Sequence, residues 1–148
     1  MIKAEFVYNV KFPKLDFTET LGTIAGRFVN ALRGYIDSET DLNEQGYPPL
    51  SKKYVDWKRK KGLNTQILKA TNQLVNSISS KVISKNKAEV FLRGGRSGGM
   101  SNSELGDILM NKGTGSGRKF NFFGVNDRME ADAIKIMEKA ISEAIKNA

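Results

Sequence analysis

The sequence predicts an α+β fold in which long N-terminal and C-terminal amphipathic helices pack on a small antiparallel sheet. Apolar residues alternate with polar ones over residues 2–12, which is typical of a half-buried strand. Apolar residues recur at helical spacing near both ends of the chain, over 17–36 and 129–145. Two further strand-like runs flank residues 85–87 and indicate a hairpin. Strands and helices are thus segregated, as in α+β folds, and 148 residues without repeats fit a single domain over 1–148.

The N-terminal strand is expected to end at Pro13, and a helix of about 20 residues should follow it. Asp16 and Glu19 have the spacing of a capping box, with Asp16 as the N-cap. The apolar stripe of this helix starts at Phe17 and Leu21 and is predicted to form the core.

A basic helix is predicted after an acidic, proline-containing surface loop over residues 37–50. Ser51 should cap this helix and Gly62 should end it. Tyr54 and Trp57 lie on one side, and we expect them to anchor the helix on the core while its basic residues face solvent. The alternative is a nucleic-acid groove, in which aromatic and basic side chains act together. The basic residues of the helix are Lys52, Lys53, Lys58, Arg59, Lys60 and Lys61.

Short helices, strands and glycine-rich loops are predicted for the rest of the chain. Thr71 should cap a helix whose inward face holds Leu74, Val75 and Ile78, before the hairpin. The loops over 93–100 and 113–117 are rich in glycine and are predicted to be mobile, with a short helix over 103–112 between them. Phe120, Phe122, Phe123 and Val125 form an apolar patch, and Asp127 and Glu130 suit a capping box for the last helix.

Composition excludes several kinds of chemistry. The chain has no cysteine and no histidine, so disulfides, the usual zinc sites and Ser-His or Cys-His pairs are not available to it. Residues 113–117 lack the order of a P-loop and follow a predicted helix instead of a strand. The carboxylates lie in a loop, at helix caps or on helix faces, where no catalytic pair stands out. We therefore expect no enzymatic activity and no cofactor.

Positive charge is concentrated in the middle of the chain. The formal net charge is +8, and residues 51–99 hold 12 basic and 2 acidic side chains. Such a surface favours an acidic partner or the phosphates of nucleic acid, although a solvated lysine-rich face is the simpler explanation. No apolar run has the length of a signal-peptide core or a membrane span, so we expect a cytosolic protein with no membrane partner.

Three short segments occur in an order that is typical of one protein family. Residues 46–51, before the basic helix, are similar to a G-x-x-W-x-P-L-S segment, with Tyr47 near the place of the tryptophan. Residues 67–78 are similar to I-L-x-x-T-G-x-L-x-N-S-I, with Asn72 in place of the glycine, and residues 118–125 are similar to R-x-F-x-G-L. The matching positions are Pro49, Leu50, Ser51, Thr71, Leu74, Asn76, Ser77, Ile78, Arg118, Phe120 and Gly124. In this pattern the chain resembles the virion morphogenesis proteins of tailed bacteriophages, the Mu G-type group of tail-completion and head–tail joining proteins.

The resemblance implies a non-enzymatic structural protein of the virion neck or tail, made in the host cytoplasm. Such proteins form homo-oligomeric rings, commonly hexamers, and contact connector, portal-adjacent, tail-tube or tail-terminator subunits. In a ring, head-to-tail surfaces meet, so the acidic loop 37–44 could face the basic helix 52–61 of the next subunit. The candidates for contact with subunits, or with DNA in a channel, are Lys52, Lys53, Lys58, Arg59, Lys60, Lys61, Arg93, Arg96, Arg118 and Lys119. A basic nucleic-acid-binding module is the alternative function, and a regulator that binds a host factor is a third that only the charge favours.

Overall fold

The computed structural model describes residues 2–7, 15–69, 72–95, 99–113 and 118–147, and it confirms the α+β class and the predicted order of elements. The first half holds β1 (Lys3–Val7), α1 (Thr18–Asp37), α2 (Lys52–Lys60) and α3 (Gln73–Ser77). The second half holds β2 (Ile78–Ser84), β3 (Lys87–Leu92), α4 (Asn102–Asp107), a π-helical turn (Ile108–Lys112) and α5 (Asp127–Lys146).

Some predictions lie outside the described residues. They concern strand positions 8–12 with Pro13, the cap Thr71, the basic residue Arg96 and glycine-rich residues 114–117. Within the described ranges, no helix combines the length and the apolar character that crossing a membrane requires.

The three strands form one antiparallel sheet in the order β1-β3-β2. The predicted hairpin is confirmed, and Lys85 and Asn86 form its two-residue turn. In the central strand Ala88, Val90 and Leu92 are buried beneath α1, because alternate residues of a strand point to the same face. The sheet is therefore covered by α1 on one face.

The core lies between the sheet and α1, as the helical stripe predicted. Phe28 is central to it: its ring meets the ring of Phe6 from β1 edge-to-face, with centroids 4.3 Å apart. Phe120, Phe122 and Phe123, from the segment before α5, complete the core. The buried residues of α1 are Leu21, Ile24, Ala25, Phe28, Val29, Leu32 and Ile36.

The outer face of the sheet carries a ladder of ion pairs. The Lys3 amino group lies 2.7 Å from the Glu5 carboxylate, and the Lys87 amino group lies 3.2 Å from the same carboxylate. Glu89 on the central strand is approached by Lys3 and by Lys81 at 3.4 and 3.5 Å. Hydrogen bonds from Lys3 and Lys87 lower the pKa of Glu5 to about 2.

The lowered pKa of Glu5 predicts a dependence of stability on pH. A carboxyl whose pKa falls on folding stabilises the fold above its unfolded value of 4.5, and this contribution is lost as the pH drops toward 2. The Glu5→Gln variant should therefore show a smaller loss of unfolding free energy between these pH values, measured by urea unfolding. Glu138→Gln is the control. If the unfolding free energy of Glu5→Gln falls with pH as steeply as that of the native protein, the ion pairs of Glu5 do not stabilise the fold.

Two helix starts differ from the predicted caps by one residue. The N-cap of α1 is Phe17, and the Asp16 carboxylate instead accepts a hydrogen bond from the Thr18 amide at 2.9 Å. The N-cap of α5 is Asn126, whose side chain accepts from the Met129 amide at 2.9 Å. Both predicted capping boxes at these helices were therefore wrong in register.

Tertiary contacts select Asn126 over its neighbour Asp127. The amide group of Asn126 also donates to the Tyr35 hydroxyl and to the Leu42 carbonyl, both at 2.9 Å. Asp127 has no N–H in its side chain to make these bonds.

Other features of the short helices were not predicted. The N-cap of α3 is Asn72, and an unpredicted capping box of Ser101 and Glu104 starts α4. The predicted helix over 103–112 becomes π-helical from Ile108 onward.

The last helix uses only part of its apolar stripe inside the molecule. Met129 is buried, whereas Ala133, Ile136 and Met137 are half-buried. Ile134 and Ile145 are 50% and 61% exposed. α5 therefore packs on α1 and leaves apolar side chains in contact with solvent.

Candidate interaction surfaces

The predicted boundaries of the basic helix are confirmed. The Ser51 hydroxyl accepts a hydrogen bond from the Tyr54 amide at 3.2 Å and caps α2. Gly62 has a φ of 68° at the other end, where its amide donates to the Arg59 carbonyl. The Leu63 amide donates to the Lys58 carbonyl at 2.9 Å, which completes a Schellman motif.

The orientation of α2 is the reverse of the expected one. Tyr54 and Trp57, which were expected to anchor the helix, are 43% and 47% exposed. Lys58, which was expected in solvent as a contact residue, is only 2% exposed. The prediction that the aromatic side faces the core was therefore wrong, and Lys58 cannot be a surface contact.

Lys58 is buried because the following loop gives its amino group a partner. The amino group donates to the Gln66 carbonyl at 3.0 Å, and it lies 5.1 Å from the centre of the Tyr54 ring. Burial lowers the pKa of Lys58, and the nearby carboxylate of Glu39 opposes this shift. Glu39 in turn accepts a hydrogen bond from the Ile67 amide at 2.9 Å, which fixes the same loop. These polar contacts hold α2 with its aromatic side outward.

The exposed side of α2 forms an aromatic–basic surface, made of Lys53, Tyr54, Trp57, Lys60 and Lys61. The two rings stack with their planes 10° apart and their centroids 5.7 Å apart. The three lysines lie three or four residues from Trp57, so they share its side of the helix. The surface thus combines two stacked aromatic rings with three positive charges.

The other predicted contact residues divide into exposed and structural ones. Lys52, Arg59 and Lys119 are exposed, and Arg59 pairs with Asp56 at 3.8 Å. Arg93 is exposed at the end of β3, where its main chain bonds to Ser77 and Asn102.

Arg118 is a structural residue. Its guanidinium donates to the carbonyls of Pro48 and Pro49 and lies 4.7 Å from the centre of the Phe120 ring. Arg118 was predicted both as a contact candidate and as a structural residue of the motif. These contacts tie the loop before α2 to the core, which fits the structural role.

The family-motif residues mostly serve the fold. Leu74, Ser77, Ile78 and Phe120 are buried, and the Ser77 hydroxyl donates to the Leu74 carbonyl at 2.6 Å. Leu50 packs on the core, whereas Asn76 is exposed. Gly124 has a φ of 149°, and a Cβ there would lie 3.1 Å from Leu42.

A second surface is an apolar groove of about 530 Å³ between β1, α1 and α5. Buried Ile24 and Phe28 lie beneath it, and the exposed carboxylates of Glu130 and Glu138 lie along it. The remaining lining residues are Glu5, Phe6, Val7, Leu21, Val125, Ala133, Ile134, Met137 and Ile141.

The acidic loop expected to face the basic helix uses its charges internally. Asp37 pairs with Lys69 at 2.7 Å, and Glu44 pairs with Arg128 at 3.1 Å. Glu39 is bound to the Ile67 amide. The carboxylates along the apolar groove are therefore better placed than this loop to meet a basic partner.

No group of three or more acidic residues in the described part of the chain is arranged to hold a metal ion. Comparisons with protein-family models, curated proteins and solved structures found no significant match to this chain.

Proposed function

We propose that the protein is a non-enzymatic structural subunit of a tailed-phage virion, which acts in head–tail joining or tail completion as part of a homo-oligomeric ring. The observation that carries the proposal is the pair of apolar surfaces, on α2 and α5, that the fold leaves uncovered. Such a subunit would be made in the host cytoplasm and would end in the neck or tail of the particle.

Both surfaces include large apolar side chains that are exposed to solvent. Tyr54 and Trp57 on α2 and Ile134 on α5 are each between 43% and 50% exposed, and polar or charged residues surround them. Larger exposed apolar patches, especially those with a polar rim, mark protein interaction sites. Two separate patches suit a subunit that contacts a neighbour on either side, as ring subunits do.

The motif residues give independent support. Arg118 binds the carbonyls of Pro48 and Pro49, so two of the segments that resemble the virion family touch each other in space. Their contact positions the start of α2 relative to the core. A motif whose residues organise a docking helix fits a structural protein better than an enzyme.

Nucleic-acid binding is the second candidate, and the stacked pair of Tyr54 and Trp57 among lysines favours it. Bases stack on such rings while lysines neutralise phosphates. Binding of this kind should weaken steeply with salt concentration, whereas ring assembly depends on protein concentration and on partner subunits.

The proposal is tested by tagging the chain in cells that produce it and recovering it under native conditions. We expect portal, connector or tail-tube subunits to accompany it, and immunogold labelling to locate it at the head–tail junction or tail end of particles. Recovery with nucleic acid that dissociates at high salt, without structural partners, would favour the second candidate.

A further inference from the structure

We propose that α2 of one subunit packs on α5 of the next, with Trp57 in the apolar groove and the lysines of α2 paired with the glutamates of α5. This inference rests on the proposed assembly function and names the interface that it needs. The occupant of the groove is thus a second copy of this chain.

The two helices carry matching stripes of residues. On α2 and its C-cap, Lys53, Trp57 and Lys61 follow each other at intervals of four residues, and Trp57 is exposed between the two lysines. On α5, Glu130 and Glu138 flank the exposed Ile134 at the same intervals. Residues four apart lie on one face of a helix, and in each stripe the outer charges are about 12 Å apart along the axis. One stripe can therefore lie on the other with opposite charges at both ends.

The charges in these stripes are available for a partner. Within the described residues, Lys53, Lys61, Glu130 and Glu138 form no ion pair. The other groove carboxylate, Glu5, is already held by two lysines of the sheet. The groove thus has two unpaired negative charges.

The groove also suits the aromatic part of α2. Its lining includes Phe6, Val125, Met137 and Ile141, which offer aromatic, branched and flexible side chains to an incoming ring. Tryptophan and tyrosine at the centre of an interface contribute a large share of binding energy when water is excluded around them. Burial of Trp57 would cover the apolar surface of α2 and α5 at once.

The two surfaces lie toward opposite ends of α1. The groove is floored by Ile24, in the first half of α1, and by Phe28 at its middle. Glu39, just beyond the C-terminal end of α1, instead holds the Ile67 amide, and the neighbouring Gln66 carbonyl accepts from Lys58 of α2. The helix from Ile24 to Asp37 alone spans roughly 20 Å along its axis. A chain cannot insert its own α2 into its own groove without refolding, so the contact must join different copies. Repeated head to tail by a rotation that closes, this contact gives a ring.

The interface is tested by reversing charges on one side and then on both. Lys53→Glu with Lys61→Glu, or Glu130→Lys with Glu138→Lys, should each weaken self-association at least tenfold in sedimentation velocity, because like charges then oppose each other. The fourfold variant should recover most of the native association. Loss without recovery, or association that neither reversal changes, would overturn the proposed interface.

A neutral substitution separates burial from charge. Trp57→Ala should weaken self-association by roughly tenfold or more, while Ile83→Ala, which removes an equally exposed side chain from β2, should leave it unchanged. Thermal unfolding followed by circular dichroism should give native midpoints for all variants, because the substituted side chains are exposed.

Two other outcomes would also overturn this interface. One is a native chain that stays monomeric at every concentration. The other concerns a single-stranded oligonucleotide. If it binds the native chain and the Glu130→Lys, Glu138→Lys variant, but neither the Lys53→Glu, Lys61→Glu variant nor the fourfold variant, α2 is a nucleic-acid surface. In the first case, recovery of the tagged chain from particles still decides the proposed function separately.

Discussion

Replacing Lys58 with glutamate should lower the free energy of unfolding by about 3–5 kcal/mol, because the change leaves a buried negative charge without a cation. The new carboxylate would face the Gln66 carbonyl and the nearby carboxylate of Glu39, both of which repel it. Urea unfolding followed by circular dichroism measures the loss.

The matched control is Lys58→Met, which keeps most of the volume and removes the charge. The Gln66 carbonyl retains a hydrogen bond from the Lys69 amide at 3.3 Å, so it is not left unpaired. We expect this variant to lose less than about 1.5 kcal/mol. Equal stability of the Glu and Met variants would contradict the burial of Lys58.

A substitution of Lys58 therefore changes the stability of the fold, whereas a substitution of its exposed basic neighbours changes the surface of α2. A charge reversal of Lys58, Arg59 and Lys60 together would be the direct test of a purely basic helix. Because Lys58 is buried, such a variant would unfold α2, and a loss of assembly would say nothing about the surface. Lys53 and Lys61 are the residues to reverse.

Replacing Phe28 with alanine should cost about 3–5 kcal/mol of unfolding free energy, because it leaves a cavity between α1 and the sheet. Phe28 is 2% exposed and contacts Phe6 edge-to-face, so both burial and ring contact are lost. The measurement is chemical denaturation of the purified variant.

The control for Phe28 is Ile145→Ala, which trims a side chain that is 61% exposed near the end of α5. We expect it to change the unfolding free energy by no more than about 0.5 kcal/mol. A Phe28→Ala variant as stable as this control would show that the packing of α1 on β1 contributes little.

The periodicity of apolar residues predicted most of the helices and strands, whereas tertiary contacts determine the residue at which a helix begins. The stripe through Leu21, Phe28 and Ile36 identified α1 because a helix that covers a sheet must bury one face. The start of α5 could not be placed to the residue, since Asn126 is selected by Tyr35 and Leu42, which are distant in sequence.

The orientation of α2 was not predictable from residue types alone. Its nine residues hold only three apolar side chains, so no stripe fixes which side faces inward. The usual preference for buried aromatics then gave the wrong side, because it ignores the Gln66 carbonyl that receives Lys58. The four-residue spacing of Lys53, Trp57 and Lys61 was the available signal for a surface stripe.

The exposed position of Trp57 also determines what the intrinsic fluorescence of this protein can measure. Trp57 is the only tryptophan of the chain, so the intrinsic indole emission comes from a single point outside the core. Emission from an exposed indole changes little when the chain unfolds, but it shifts to shorter wavelength when another molecule covers the ring. The fluorescence of Trp57 can therefore report the docking proposed for α2, and no dye has to be attached.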